Sequence, residues 1–85
     1  MQMDRAIFDL NLNVEATSLY ILTCALLDQG ESPTLERIRL QWNGNDQDLS
    51  TAVQELLKHN VVTASEPIRQ DEPLKLNPRS QWSRN

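Results

Sequence analysis

Eighty-five residues suffice for one domain with one modest core, burying roughly 60–65% of the unfolded chain's surface. A hydrophobic fraction of 39% with 24% charged residues excludes a disordered chain, and a single cysteine, Cys24, excludes an internal disulfide framework or a cysteine-rich zinc site. The net charge of −4 is uneven: residues 1–36 hold six acids against Arg5 alone, a balance of −5, whereas residues 61–85 hold four bases against three acids, a balance of +1. An acidic front argues against nucleic acid without excluding it, because a binding footprint is a local patch.

Residues 1–6 are expected to be a flexible lead-in. Asp4 and Asp9 interrupt any apolar stretch of export-signal type, and the longest greasy run, LYILTCALL, is far shorter than the ~20 residues that span a bilayer. A cytoplasmic protein with no membrane contact is the expectation. From Phe8 to Val14, apolar Phe8, Leu10, Leu12 and Val14 alternate with Asp9, Asn11 and Asn13. That period of two predicts a half-buried edge strand, open to pairing with a second copy or with another protein's strand.

The next segment, EATSLYILTCALLDQG, changes period. Leu19, Leu22, Thr23 and Leu26 share a face that Ala16, Tyr20 and Leu27 widen, which predicts a central helix capped by Asn13 and closed by Gly30. Cys24 lies inside it and reads as a buried, inert thiol. Ser32 followed by Pro33 is a cap followed by an N1 proline, predicting a second helix with Leu35, Ile38 and Trp42 inward and Arg37 and Arg39 outward. Asn43-Gly44-Asn45 ends it. A third helix is predicted over residues 46–59, with Asp46 and Asp48 at its positive end. Two short strands, VVTASEP and PLKLNP, follow, bracketed and stopped by Pro67, Pro73 and Pro78. Residues 79–85 form a polar tail carrying Trp82.

The predicted order is strand, three helices, strand, strand: an α+β fold with a three-helix core, a short N-terminal strand and a C-terminal two-stranded β wing. The stretch TLERIRLQWNGNDQDLSTAVQELLKHNVV resembles the winged helix-turn-helix superfamily, and the likeness covers residues 7–78. Ser50-Thr51-Ala52 falls where such proteins often carry a small or hydroxyl triplet opening the recognition helix. Leu56-Leu57 and Val61-Val62 fall at the core leucines and the first wing strand. Asn60 stands where glycine is common, and asparagine tolerates the same left-handed backbone.

The resemblance implies a small noncatalytic regulatory module of the DNA-binding, transcription-regulator type, or an acidic protein-interaction module that binds no DNA, since the architecture serves both. In the first reading Ser50, Thr51, Gln54 and Lys58 reach the major groove, while Arg37, Arg39, Arg69 and Lys75 hold phosphates, with Arg79 and Arg84 in the tail. Asp46, Asp48 and Glu55 oppose it by repelling a duplex. In the second reading the acidic faces meet a basic partner, or Trp82 anchors one; the alternative for Trp82 is that it folds back onto the domain.

A catalytic reading finds little to stand on. His59, the one histidine, reads as a surface residue at a helix end, and no spacing gives it metal or nucleophile partners. Asp46/Asp48 and Asp71/Glu72 lack the glycine-punctuated loop of a cation site, and two glycines cannot build a phosphate cradle. No cofactor is expected, and a homodimer is allowed.

Overall fold

The computed structural model describes residues 5–64 and 71–83. Residues 65–67 of the expected strand VVTASEP, part of the connection after it, and Arg69 and Arg84 lie outside the described residues, as do residues 1–4. The architecture is α+β: α1 (Val14–Asp28), α2 (Leu35–Gln41) and α3 (Asp46–Lys58) precede an antiparallel pair, β1 (Val62–Thr63) and β2 (Lys75–Leu76).

The predicted N-terminal strand is absent. Arg5–Leu10 wind instead into a 3-10 helix, whose three-residue repeat turns Ile7 fully inward and half-buries Leu10. Asn11 then takes φ +55°, which ends the turn, and the Oδ1 of Asn13 accepts the amide of Ala16 at 2.8 Å to cap α1. Phe8 and Val14, two members of the alternating set, are 55% and 78% exposed. The alternation thus joins the end of one helical turn to the start of another. With no strand there, the expected edge for strand pairing is lost as well.

α1 buries Ala16, Leu19, Tyr20, Thr23, Cys24 and Leu26. The Thr23 hydroxyl returns to the carbonyl of Leu19 at 2.8 Å, so this core threonine carries no unmet hydrogen bond. The helix ends in a Schellman motif: the amide of Glu31 reaches the Leu26 carbonyl at 2.9 Å, and that of Gly30 reaches Leu27 at 3.0 Å. Gly30 takes φ +77°, as its place after the helix requires.

α2 begins two residues later than Ser32-Pro33 suggests. Thr34 is the cap, its hydroxyl accepting the amide of Arg37 at 3.2 Å. Pro33 is buried, and its carbonyl accepts the amide of Leu74 at 3.1 Å, while Thr34 bridges Pro73 antiparallel. Residues 32–34 are therefore extended chain laid against the segment entering β2, a use that competes with helix initiation. Leu35 and Ile38 are buried and Trp42 is half-buried, as their spacing predicts.

α3 is capped by Asn45, whose Oδ1 accepts the amide of Asp48 at 2.8 Å. Its buried residues, Leu49, Ala52, Val53 and Leu56, pack on α1, the main helix–helix contact of the domain. A second Schellman motif ends it: Val61 N–H reaches the Leu56 carbonyl at 2.9 Å and Asn60 N–H reaches Leu57 at 3.1 Å. Asn60 has φ +59°, as expected of a residue in glycine's place. Val61 and Leu56 are both fully buried, supplying the apolar contact that accompanies the motif.

Val62 pairs with Leu76 and Thr63 with Lys75. Asn77 locks the end of this pair: its amide donates to Val61 O at 2.9 Å, its Nδ2 to Asn60 O at 2.8 Å, and its Oδ1 accepts the Thr63 hydroxyl at 3.0 Å. Residues Arg79–Gln81 add one 3-10 turn, and the tail then folds back on the domain.

Candidate interaction surfaces

Two surfaces answer to the residues singled out by sequence. The first is the outward face of α3. Ser50, Thr51, Gln54 and Lys58 are all exposed and lie side by side, with Glu55 between them. That is the row a recognition helix would present. The cations meant to flank it are differently engaged. Arg37 Nη1 lies 3.2 Å from Glu31 Oε1, and Arg39 Nε lies 3.5 Å from Asp46 Oδ1. Such exposed pairs contribute only about 0–1 kcal/mol to folding. Their effect on a duplex is larger than their strength, because each carboxylate travels with the arginine that would approach a phosphate. Glu31, α2 and α3 together hold five carboxylates (Glu31, Glu36, Asp46, Asp48, Glu55) against Arg37, Arg39 and Lys58, a balance of −2. Lys75 is exposed on β2, and Arg69 lies outside the described residues.

Trp82 is placed within its own domain. Its ring centroid stands 5.6 Å from that of Tyr20 with the planes at 85°, an edge-to-face pair, and its Nε1 donates to the Asn77 carbonyl at 2.9 Å. The indole is half-buried. His59 differs from the surface residue expected of it: it is 6% exposed, with Nδ1 2.7 Å from the carbonyl oxygen of Ser83 and Nε2 3.0 Å from Glu55 Oε1. The expectation failed because the tail, seemingly a polar afterthought, covers the helix end.

The second surface escaped the sequence reading. α1 carries two apolar stripes, and only one of them enters the core. Val14, Ser18, Ile21 and Ala25 recur at i, i+4, i+7 and i+11 on the opposite side from Leu19, Thr23 and Leu26. With Leu22 they form one wall of a groove of about 540 Å³, and the other wall is the α2–α3 corner, chiefly Trp42, Asn43 and Gly44. Glu15 and Asp48 also line the groove, and among the described residues no basic one does. The corner is tightly closed: a Cβ on Gly44 would stand 2.9 Å from Trp42 Nε1 and 3.3 Å from Asp48 Oδ2. Trp42 is itself tied by a 3.2 Å bond from Nε1 to the Asn45 carbonyl. The available signal was the helix's near-uniform apolarity, which reads equally as a fully buried helix.

Cys24 is fully buried, and burial pushes its thiol above the ordinary value of 9.0. A hydrogen bond with Tyr20 opposes that rise, and the Asp28 carboxylate adds to it. The group is a core thiol. Among the described residues no three His, Cys, Asp or Glu side chains cluster as metal ligands would, and no helix is long and apolar enough to cross a membrane.

No protein-family model matches the chain, and no curated protein or solved structure does either.

Proposed function

We propose that the chain is a noncatalytic protein-binding module of winged-helix type, which meets its partner through the outer face of α1. The fold reading is supported by three helices followed by an antiparallel pair, with Asn60 in left-handed backbone at the entry to β1. The noncatalytic reading draws on Cys24 and His59, the first candidates for nucleophile and base, which are both enclosed in the domain.

The observation that carries the protein-binding reading is the α1 groove. An apolar stripe on a helix is normally buried against something. Here one is buried and the other stands open beside Trp42, with Val14 78% exposed at its end. DNA binding is the second reading, favoured by the exposed row Ser50, Thr51, Gln54 and Lys58. It ranks lower because Arg37 and Arg39 carry carboxylates with them. In that reading those arginines and Lys75 hold phosphates.

Fluorescence anisotropy of a labelled random duplex at low and moderate salt separates the two. The protein-binding reading expects no association even at low salt. Association that weakens steeply as salt rises, the mark of counterion release, would establish the second reading.

A further inference from the structure

We infer that the groove between α1 and the α2–α3 corner takes an amphipathic α-helix whose polar edges carry lysine or arginine. The inference rests on the protein-binding reading above and adds the partner's shape and charge.

The two walls set the shape of the partner. One is a helix, whose backbone groups beyond the first turn are hydrogen-bonded within it and offer nothing to an added strand. What it offers is a side-chain relief: the larger Val14 and Ile21 alternate along the stripe with the small Ser18 and Ala25. Ridges separated by small residues suit the interdigitation of a second helix. From Val14 to Ala25 the stripe spans about 16 Å at 1.5 Å per residue, which matches three turns of an incoming helix. Trp42 supplies an aromatic wall of the kind that dominates binding energy when a partner covers it.

Charge decides between occupants. Glu15 and Asp48 line the groove, and no cation among the described residues does. A helix with lysines or arginines beside its apolar face would set opposite charges against both carboxylates as its leucines enter. A second copy of this chain would bring the same two carboxylates and a net charge of −4 to the same place. A duplex would bring phosphates to an apolar, acidic surface. Both are disfavoured by like charge.

The test uses the full chain labelled with nitrogen-15 and two synthetic 18-residue helices sharing one leucine face, one edged with lysine and the other with glutamate. The lysine helix is expected to move the amide signals of Ser18, Ile21, Ala25 and Gly44 and to leave Thr51 and Gln54 in place. The glutamate helix is expected to bind at least tenfold more weakly. The double variant Glu15→Gln/Asp48→Asn should weaken the lysine helix by tenfold or more. Ile21→Ser should abolish its binding, with both variants keeping the dispersed spectrum of a folded chain. Equal binding of the two helices at the groove would overturn the charge assignment and leave the protein-binding reading standing. Groove signals that move with protein concentration alone would identify a second copy as the occupant and overturn the proposal. Failure of both helices, with duplex DNA moving Thr51 and Gln54, would overturn this inference and the reading beneath it.

Discussion

His59 and Ser83 hold each other twice. The amide of Ser83 donates to the carbonyl of His59 at 2.7 Å, and the imidazole Nδ1 of His59 faces the Ser83 carbonyl oxygen at the same distance. This two-point clip fastens the tail across the end of α3 and brings Trp82 onto Tyr20. His59→Ala removes the side-chain half, together with the ring's contacts to the Ser83 carbonyl and to Glu55. The expected cost is about 1–3 kcal/mol, read from urea denaturation, together with faster solvent exchange of the Trp82 indole N–H. Unchanged exchange would mean that the backbone bond alone secures the tail.

Asn60 tests the left-handed exit from α3. At φ +59° an alanine is strained, so Asn60→Ala should cost about 1–2 kcal/mol, whereas Asn60→Gly should be within a few tenths of the parent. The bond from Asn77 Nδ2 goes to the main-chain oxygen of residue 60 and survives both changes. Urea midpoints of the two variants make the comparison, and equal losses would point to a side-chain role for Asn60.

Cys24 sets a pH dependence with a definite sign. The folded state holds the thiol proton more tightly than the unfolded chain does, because burial opposes the thiolate. Its contribution to stability is therefore complete below the ordinary value of 9.0 and declines as pH rises through it, by at most about 1.4 kcal/mol per pH unit. Stability curves for the parent and Cys24→Ala should run parallel between pH 7 and 8 and converge above pH 9. The native thiol should also resist aromatic disulfide reagents at pH 8 and react on unfolding.

The two faces of α1 should respond differently to truncation. Leu19 is fully buried and Leu19→Ala should cost about 2–5 kcal/mol. Ile21 lies half-buried in the open groove, so Ile21→Ala in the isolated chain should cost about 1 kcal/mol or less. Thermal unfolding of both variants checks the contrast. A loss at Ile21 as large as that at Leu19 would mean that the groove side belongs to the domain's own core.

What could be read from the letters alone follows a physical line. Asn13, Gly30 and Asn60 announced their caps because capping is decided within a few residues, and the inward stripes of α2 and α3 followed from spacing. Ser32-Pro33 misled because Pro33 also serves a long-range bond to Leu74, and such a competition leaves no local trace. Phe8 to Val14 misled for a related reason: a strand needs a partner, and alternation cannot reveal that the described chain lays none beside it. On the candidate surfaces, exposure of Ser50, Thr51, Gln54 and Lys58 was legible from the period of α3. The pairing of Arg37 with Glu31 and of Arg39 with Asp46 was not, since both pairs join separate segments. The open stripe of α1 stayed hidden because apolarity does not say which side the rest of the chain will cover.

The most direct test of the central claim compares the two surfaces where the protein works. A photo-crosslinking amino acid is placed at Ser18, in the α1 groove, or at Thr51, on the exposed face of α3, and the cells that make the protein are irradiated. Position 18 should give a discrete adduct that nuclease does not remove and whose mass is not that of two copies of the chain, with no adduct from position 51. A nuclease-sensitive adduct from position 51, with none from position 18, would contradict that claim.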